Sequence, residues 1–138
     1  MSTVQRLEIK AHRYDRDRMQ RFAAWEGKLA PWLSGEIDEE HCYASFEEFR
    51  PEEPVGDWFY WYDEVDYGIS GRCLARFRTP PFFDQQHQVE LGAGDLFYIR
   101  KGTVASFEVL GEKPFVHIIV QMPRPQYVAD EDQPSFTN

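Results

Sequence analysis

The sequence predicts an all-β domain, a sandwich or barrel, preceded by one helix. Three observations carry that reading. Aromatic residues form 16% of the chain, with 11 Phe, 7 Tyr and 4 Trp, and these favour strands and pocket walls over helical bundles. From about residue 40 onward, short apolar or alternating runs are each closed by Gly, Pro or a short polar turn, the rhythm of a sandwich or barrel. A length of 138 residues suffices for one core but not for two domains.

The helix is expected over residues 16–30, in "RDRMQRFAAWEGKLAPW". Met19, Phe22, Trp25 and Leu29 recur there at spacings of three and four, with Arg on the other faces. Pro31 ends it. Strands follow in "HCYASFEEF", in the aromatic "DWFYWYDEVDYGIS" and in "RCLARFR", where Cys73, Ala75 and Phe77 alternate with Arg72, Leu74, Arg76 and Arg78. "DLFYIR", "VASFEVL" and "PFVHIIVQM" complete the set. The expected organisation is a helical extension over 1–38, a barrel over 39–124 and a polar tail over 125–138.

Composition narrows the function. The net charge is −9; residues 1–28 carry a balance of +3, which leaves −12 on the other 110. An acidic body argues against nucleic acid, whose phosphates call for clustered Lys and Arg. No apolar run approaches the roughly 20 residues that span a bilayer, and the first 20 residues lack the apolar stretch of a signal peptide, so no membrane partner and a cytoplasmic location are expected. Cys42 and Cys73 are too few and too far apart for a disulfide framework or a zinc knuckle. They read as small buried hydrophobes.

The residues that could carry chemistry lie on two strands. In "DEVDYGISG", Glu64 and Asp66 are two apart, so their carboxylates point the same way; Trp58, Tyr60 and Tyr62 share that parity if the strand runs unbroken. In "PFVHIIVQM", Phe115, His117, Ile119 and Gln121 share one face. The bland alternatives are a carboxylate pair held by Arg72 or Arg76 and a satisfied core histidine. "TPPFFDQQ" at 79–86 is an aromatic loop suited to covering a pocket or forming a dimer contact. His12 and His87 are expected at the surface.

Two segments together resemble a known family. "EVDYGISG" sets a Gly after a Glu and six intervening residues, and "GAGDLFYIRKGTVASFEV" joins a Gly-Asp pair, an apolar run and Lys101-Gly102 to another strand. These resemble the two halves of the cupin signature, the second half being similar to the EutQ-like branch, over roughly residues 55–122. The resemblance implies a small double-stranded β-helix, a jelly-roll barrel with a pocket between its sheets, and a homodimer. It implies no particular reaction, since cupins host many.

The departures from the pattern matter most. Metal-binding cupins place His-x-His before the Glu and a third His three residues after the second-motif Gly. Here Trp58 and Tyr60, Glu64 and Ala105 stand at those positions. All three imidazoles are missing, and neither Trp nor Ala offers a lone pair to a metal. No metal or other cofactor is expected.

In the family the Glu of this motif points into the barrel, so Glu64 should too, with Asp66 beside it. Two carboxyls in an aromatic cavity raise at least one pKa, which prepares an acid or base near neutral pH. The leading reading is an enzyme of metal-independent acid/base chemistry: a dehydratase, isomerase, cyclase or lyase acting on a small carbonyl or aromatic acid. Glu64, Asp66, Tyr60 and His117 would move protons, and Trp58, Tyr62, Arg100 and Phe107 would bind substrate. The alternatives are a non-catalytic ligand-binding or accessory protein, and an oxygenase with a metal held by His41, Glu64 and His117.

Overall fold

A computed structural model describes residues 9–22 and 30–125. It contains two antiparallel sheets. The strands are β1 (Gln20–Arg21), β2 (Trp32–Asp38), β3 (Tyr43–Phe49), β4 (Val55–Phe59), β5 (Glu64–Ser70), β6 (Arg72–Arg78), β7 (His87–Gly92), β8 (Leu96–Ile99), β9 (Val104–Val109) and β10 (Phe115–Gln121). The larger sheet runs β1-β2-β3-β10-β5-β8 and the smaller β4-β9-β6-β7. Consecutive strands from β4 to β10 largely alternate between the sheets, the all-β jelly roll that the resemblance implies.

The chain changes sheets at two places that shape the interior. After β4 it bends over residues 60–63 and enters the other sheet at Glu64. The strand through Trp58 and Glu64 is therefore broken, contrary to the unbroken run that the parity argument assumed. Tyr60 is held at the break by its backbone, which donates to Thr103 and accepts from Gly102 at 2.9 and 2.7 Å. Tyr60 and Tyr62 nonetheless both turn inward, 5% and 6% exposed. The second crossing is Gly71, at φ +83, where a Cβ would stand 2.1 Å from the Pro114 carbonyl oxygen. Only glycine fits that corner.

Alternation decides what fills the space between the sheets. On β6, Cys73 and Ala75 point in and are buried, opposite Phe107 and its neighbours on β9. Phe115, fully buried, joins Phe49 and Phe107 in one aromatic cluster. Burying such a ring contributes on the order of 2–3 kcal/mol. The cysteines are both free, Cys73 buried and Cys42 half-buried.

The N-terminal region departs from expectation. Among the described residues there is no α-helix: Asp15 caps a single 3-10 turn, Arg16–Arg18, and the chain is extended by Met19. Gln20 and Arg21 then pair with Leu33 and Trp32 of β2. The edge of β2 offers backbone partners that override local helical periodicity. Trp25 and Leu29 of the expected helix lie outside the described residues, as does the tail from residue 126. Strand β2 itself, within the expected extension, joins the main sheet. Upstream, Tyr14 packs edge-on against Phe46, and its hydroxyl donates to the fully buried Glu48 at 2.5 Å. Arg50 and Arg16 pair with the same carboxylate.

Candidate functional site

Three neighbouring strands of the large sheet set the site in rows. Gln121 on β10 lies opposite both Tyr43 on β3 and Glu64 on β5. In the next row Ile119 stands between Ser45 and Asp66, and in the third His117 stands between Glu47 and Gly68. Cross-strand neighbours on one face are close enough to bond, and they do. The Gln121 amide donates to Glu64 Oε1 at 2.7 Å, and His117 Nε2 lies 2.7 Å from Glu47 Oε1. His117 Nε2 is also 3.9 Å from Asp66 Oδ2.

Glu64 and Asp66 both face inward, each 3% exposed. Neither is held by arginine: Arg72 pairs with Glu90 and Arg76 with Glu108. Burial pushes the Glu64 carboxyl up to about 7, helped by the charge of Glu47 and opposed by hydrogen bonds from Asp66 and Gln121. Asp66 is driven well above the carboxylate range, first by burial, then by the charge of Glu64 and by its hydrogen bond to Glu64. Asp66 thus keeps its proton and shares it with Glu64. Tyr60 is held as a neutral phenol by burial and by Glu64. Asp66 Oδ1 and His117 Nδ1 are buried without a hydrogen-bond partner.

Glu64 and Glu47 line a partly open pocket of about 40 Å³ walled by Tyr43, Trp58, Tyr60 and Tyr62, with Gln121 and Phe107 contributing. That volume admits a water molecule or two, or one small polar group. Phe22 and Pro31 also line it. The Trp58 indole donates to the Tyr62 hydroxyl at 3.1 Å.

Of the eight residues expected in the site, Glu64, Tyr60, Trp58, Tyr62 and Phe107 line this cavity. Asp66 and His117 bond to its lining from the neighbouring rows. Arg100 does not belong there: it lines a different cavity beyond Phe107. His41 sits on the β2–β3 turn with its side chain 86% exposed, so the expected alternative ligand set of His41, Glu64 and His117 is not assembled. His12 and His87 are exposed. Sequence reasoning missed Glu47, whose signal was its shared parity with Tyr43 and Phe49, and gave Gln121 no role.

The metal that cupins commonly hold does not fit the donor set. Trp58 and Ala105 are direct partners across β4 and β9, so two of the four usual ligand positions meet as an indole and a methyl group. Among the described residues no group of three or more His, Cys, Asp and Glu side chains is arranged to hold a metal ion.

No family model and no curated protein matches the chain. Solved structures do. The EutQ protein of Clostridium difficile is 22% identical, covering 77% of this chain and 78% of its own, with a TM-score of 0.56. An RmlC-like cupin from Methanocaldococcus jannaschii, described as a double-stranded β-helix, is 12% identical over 84% of this chain and 92% of its own, at 0.60. Oxalate decarboxylase of Lactobacillus farciminis is 16% identical over 79% of this chain but only 32% of its own, at 0.61. The chain has the double-stranded β-helix fold of the cupins, and EutQ proteins are among the structures it resembles.

Proposed function

We propose that this protein is an enzyme of metal-independent acid/base chemistry, acting on a small carbonyl or aromatic acid as a dehydratase, isomerase, cyclase or lyase. One observation carries the reading: a carboxyl poised at about 7, Glu64, opens on an aromatic cavity while its neutral neighbour Asp66 stands behind it. A base is most effective when its pKa lies near the working pH. Glu64 takes a proton from carbon beside the substrate carbonyl. Asp66 is a positioning residue that stabilises the Glu64 charge, and the Tyr60 phenol donates a hydrogen bond to the developing oxyanion. The cavity accepts the reacting end of the ligand, and Trp58 and Phe22 flank the rest.

Glu47 and His117 support the same reading. The His117–Glu47 pair places a second carboxyl in the cavity; Glu64, protonated in the first step, returns that proton at another atom of the same substrate, while Glu47 accepts a hydrogen bond from the substrate. Isomerisation and dehydration both need such a return.

No helix among the described residues is long and apolar enough to cross a membrane. Two free cysteines fit a reducing compartment, so the proposal includes a cytoplasmic location. It also includes a homodimer. The outer face of the large sheet exposes Val65, Tyr67, Ile69, Leu96 and Tyr98 in adjoining positions on β5 and β8, Leu96 by 72%.

The test needs no knowledge of the product. Small α- and β-substituted carbonyl acids and aryl acids are incubated with protein in D₂O after chelator treatment, and exchange of carbon-bound hydrogen is followed by NMR. Exchange that Glu64→Gln abolishes supports the proposal. Binding without exchange, equal in both proteins, supports the ligand-holding alternative; activity restored only by added metal overturns metal independence.

A further inference from the structure

We infer that the cavity on the far side of Phe107 is a second ligand site, built for a small apolar monocarboxylate. It is an open pocket of about 220 Å³ between β8 of the large sheet and β6, β7 and β9 of the small one. An apolar cavity of roughly 150 Å³ already admits benzene, so a single ring or a short branched acyl chain fits. Its origin is visible in the sequence. Ala75 and Ala105 stand where larger inward residues would close the space, and Leu91, Phe77 and Phe97 supply the remaining apolar wall. Glu64, Glu47 and Gln121 have no part in it.

The polar lining is the exposed Thr79, Tyr98 and Arg100 and the buried Thr103. Arg100 sets the ligand class. Nearby arginines of the small sheet are ion-paired, Arg72 with Glu90, Arg76 with Glu108 and Arg78 with Asp57. Arg100 makes no such pair among the described residues. Asp63 feels its charge but is bonded instead to the Tyr98 hydroxyl at 2.8 Å and the Lys101 amide at 2.9 Å. The Arg100 guanidinium thus stays available at the mouth of an apolar cavity, in a chain of net charge −9. A planar guanidinium recognises a carboxylate with two parallel hydrogen bonds. The ligand that satisfies both the apolar wall and Arg100 has an apolar body and one carboxylate.

Benzoate and its neutral counterpart benzamide are the probes, titrated into the intact chain and followed by amide NMR. Benzoate is expected to bind saturably below roughly 10 mM, moving amides of β6, β7 and β8 and of residues 100–105. Benzamide should bind about tenfold more weakly, and Arg100→Gln, an exposed change compatible with the fold, should reduce benzoate to that level. Ala105→Phe should exclude both. The inference is overturned if benzoate produces no saturable shift, if Arg100→Gln leaves its affinity unchanged, or if the shifts gather at Glu64, Gln121 and Tyr43.

Discussion

Glu64 and Gln121 face one another across β5 and β10, and the Gln121 amide reaches the Glu64 carboxylate at 2.7 Å. That bond favours the ionised carboxylate, while burial and the charge of Glu47 favour the protonated one. Burial wins, and the balance leaves Glu64 titrating at about 7.

A base titrating there makes kcat/KM rise with pH through about 7 and level above it. Replacing Gln121 by Met removes the donor and should move that limb upward by about one unit, since a hydrogen bond to a charged group contributes roughly 1.5–3 kcal/mol. Glu64→Gln should lower kcat about 10²–10⁴-fold at every pH. A pH–rate profile of the three proteins checks both; an unmoved limb in Gln121→Met would remove Glu64 from the rate law.

The same burial affects stability. Both carboxyls titrate higher in the folded chain than in the unfolded one, so between about pH 4.5 and 7 the folded state holds more protons. Stability therefore falls as pH rises through this window. Glu64 alone accounts for about 3 kcal/mol by pH 8. Asp38, Glu53 and Asp63 are held below their ordinary range by Arg124, Trp32 and the Lys101 amide respectively, and they act in the opposite sense only below about pH 4. Thermal unfolding should show a lower Tm at pH 8 than at pH 5, and Asp66→Asn should shrink the difference. A Tm that climbs from pH 5 to 8 in the wild type contradicts the argument.

Glu47 and His117 form a pair whose parts depend on each other. His117 is fully buried and stacks on Phe115 at 4.7 Å. His117→Phe leaves Glu47 without its partner inside an aromatic cavity, and breaking a buried pair costs about 3–5 kcal/mol. Adding Glu47→Leu should recover most of that loss. Urea unfolding of the single and double variants measures the coupling, and additive losses would show that the pair contributes nothing specific.

How much of this was legible beforehand varies by element. That Glu64 and Asp66 share a face was, because β5 alternates between buried and exposed residues up to the glycine corner at Gly71; their inward direction came from the cupin resemblance. Glu47 was not. On β3 the outward Glu48 is also buried, covered by Tyr14, Arg16 and Arg50 from elsewhere in the chain, so alternation is masked where it would have marked Glu47. β2 was hidden by a register shift between Ser34 and Ile37 that breaks its period. The placement of Arg100 depended on how β8 and β9 meet around Phe107, which no local pattern encodes.

The outer face of the large sheet supports the last prediction. Val65 pairs with Tyr98 and Tyr67 with Leu96 across β5 and β8, so four partly exposed apolar side chains adjoin. Isolated apolar residues are ordinary on a surface, whereas a contiguous group on a sheet face is suited to an interface. A second copy of the same face satisfies it by two-fold symmetry. Tyr67→Glu or Leu96→Glu would bring like charges together across such an axis. Sedimentation should find the wild type as a dimer and either variant as a monomer with unchanged secondary structure. A wild-type monomer at high concentration, or a variant that remains dimeric, would assign this face to another role.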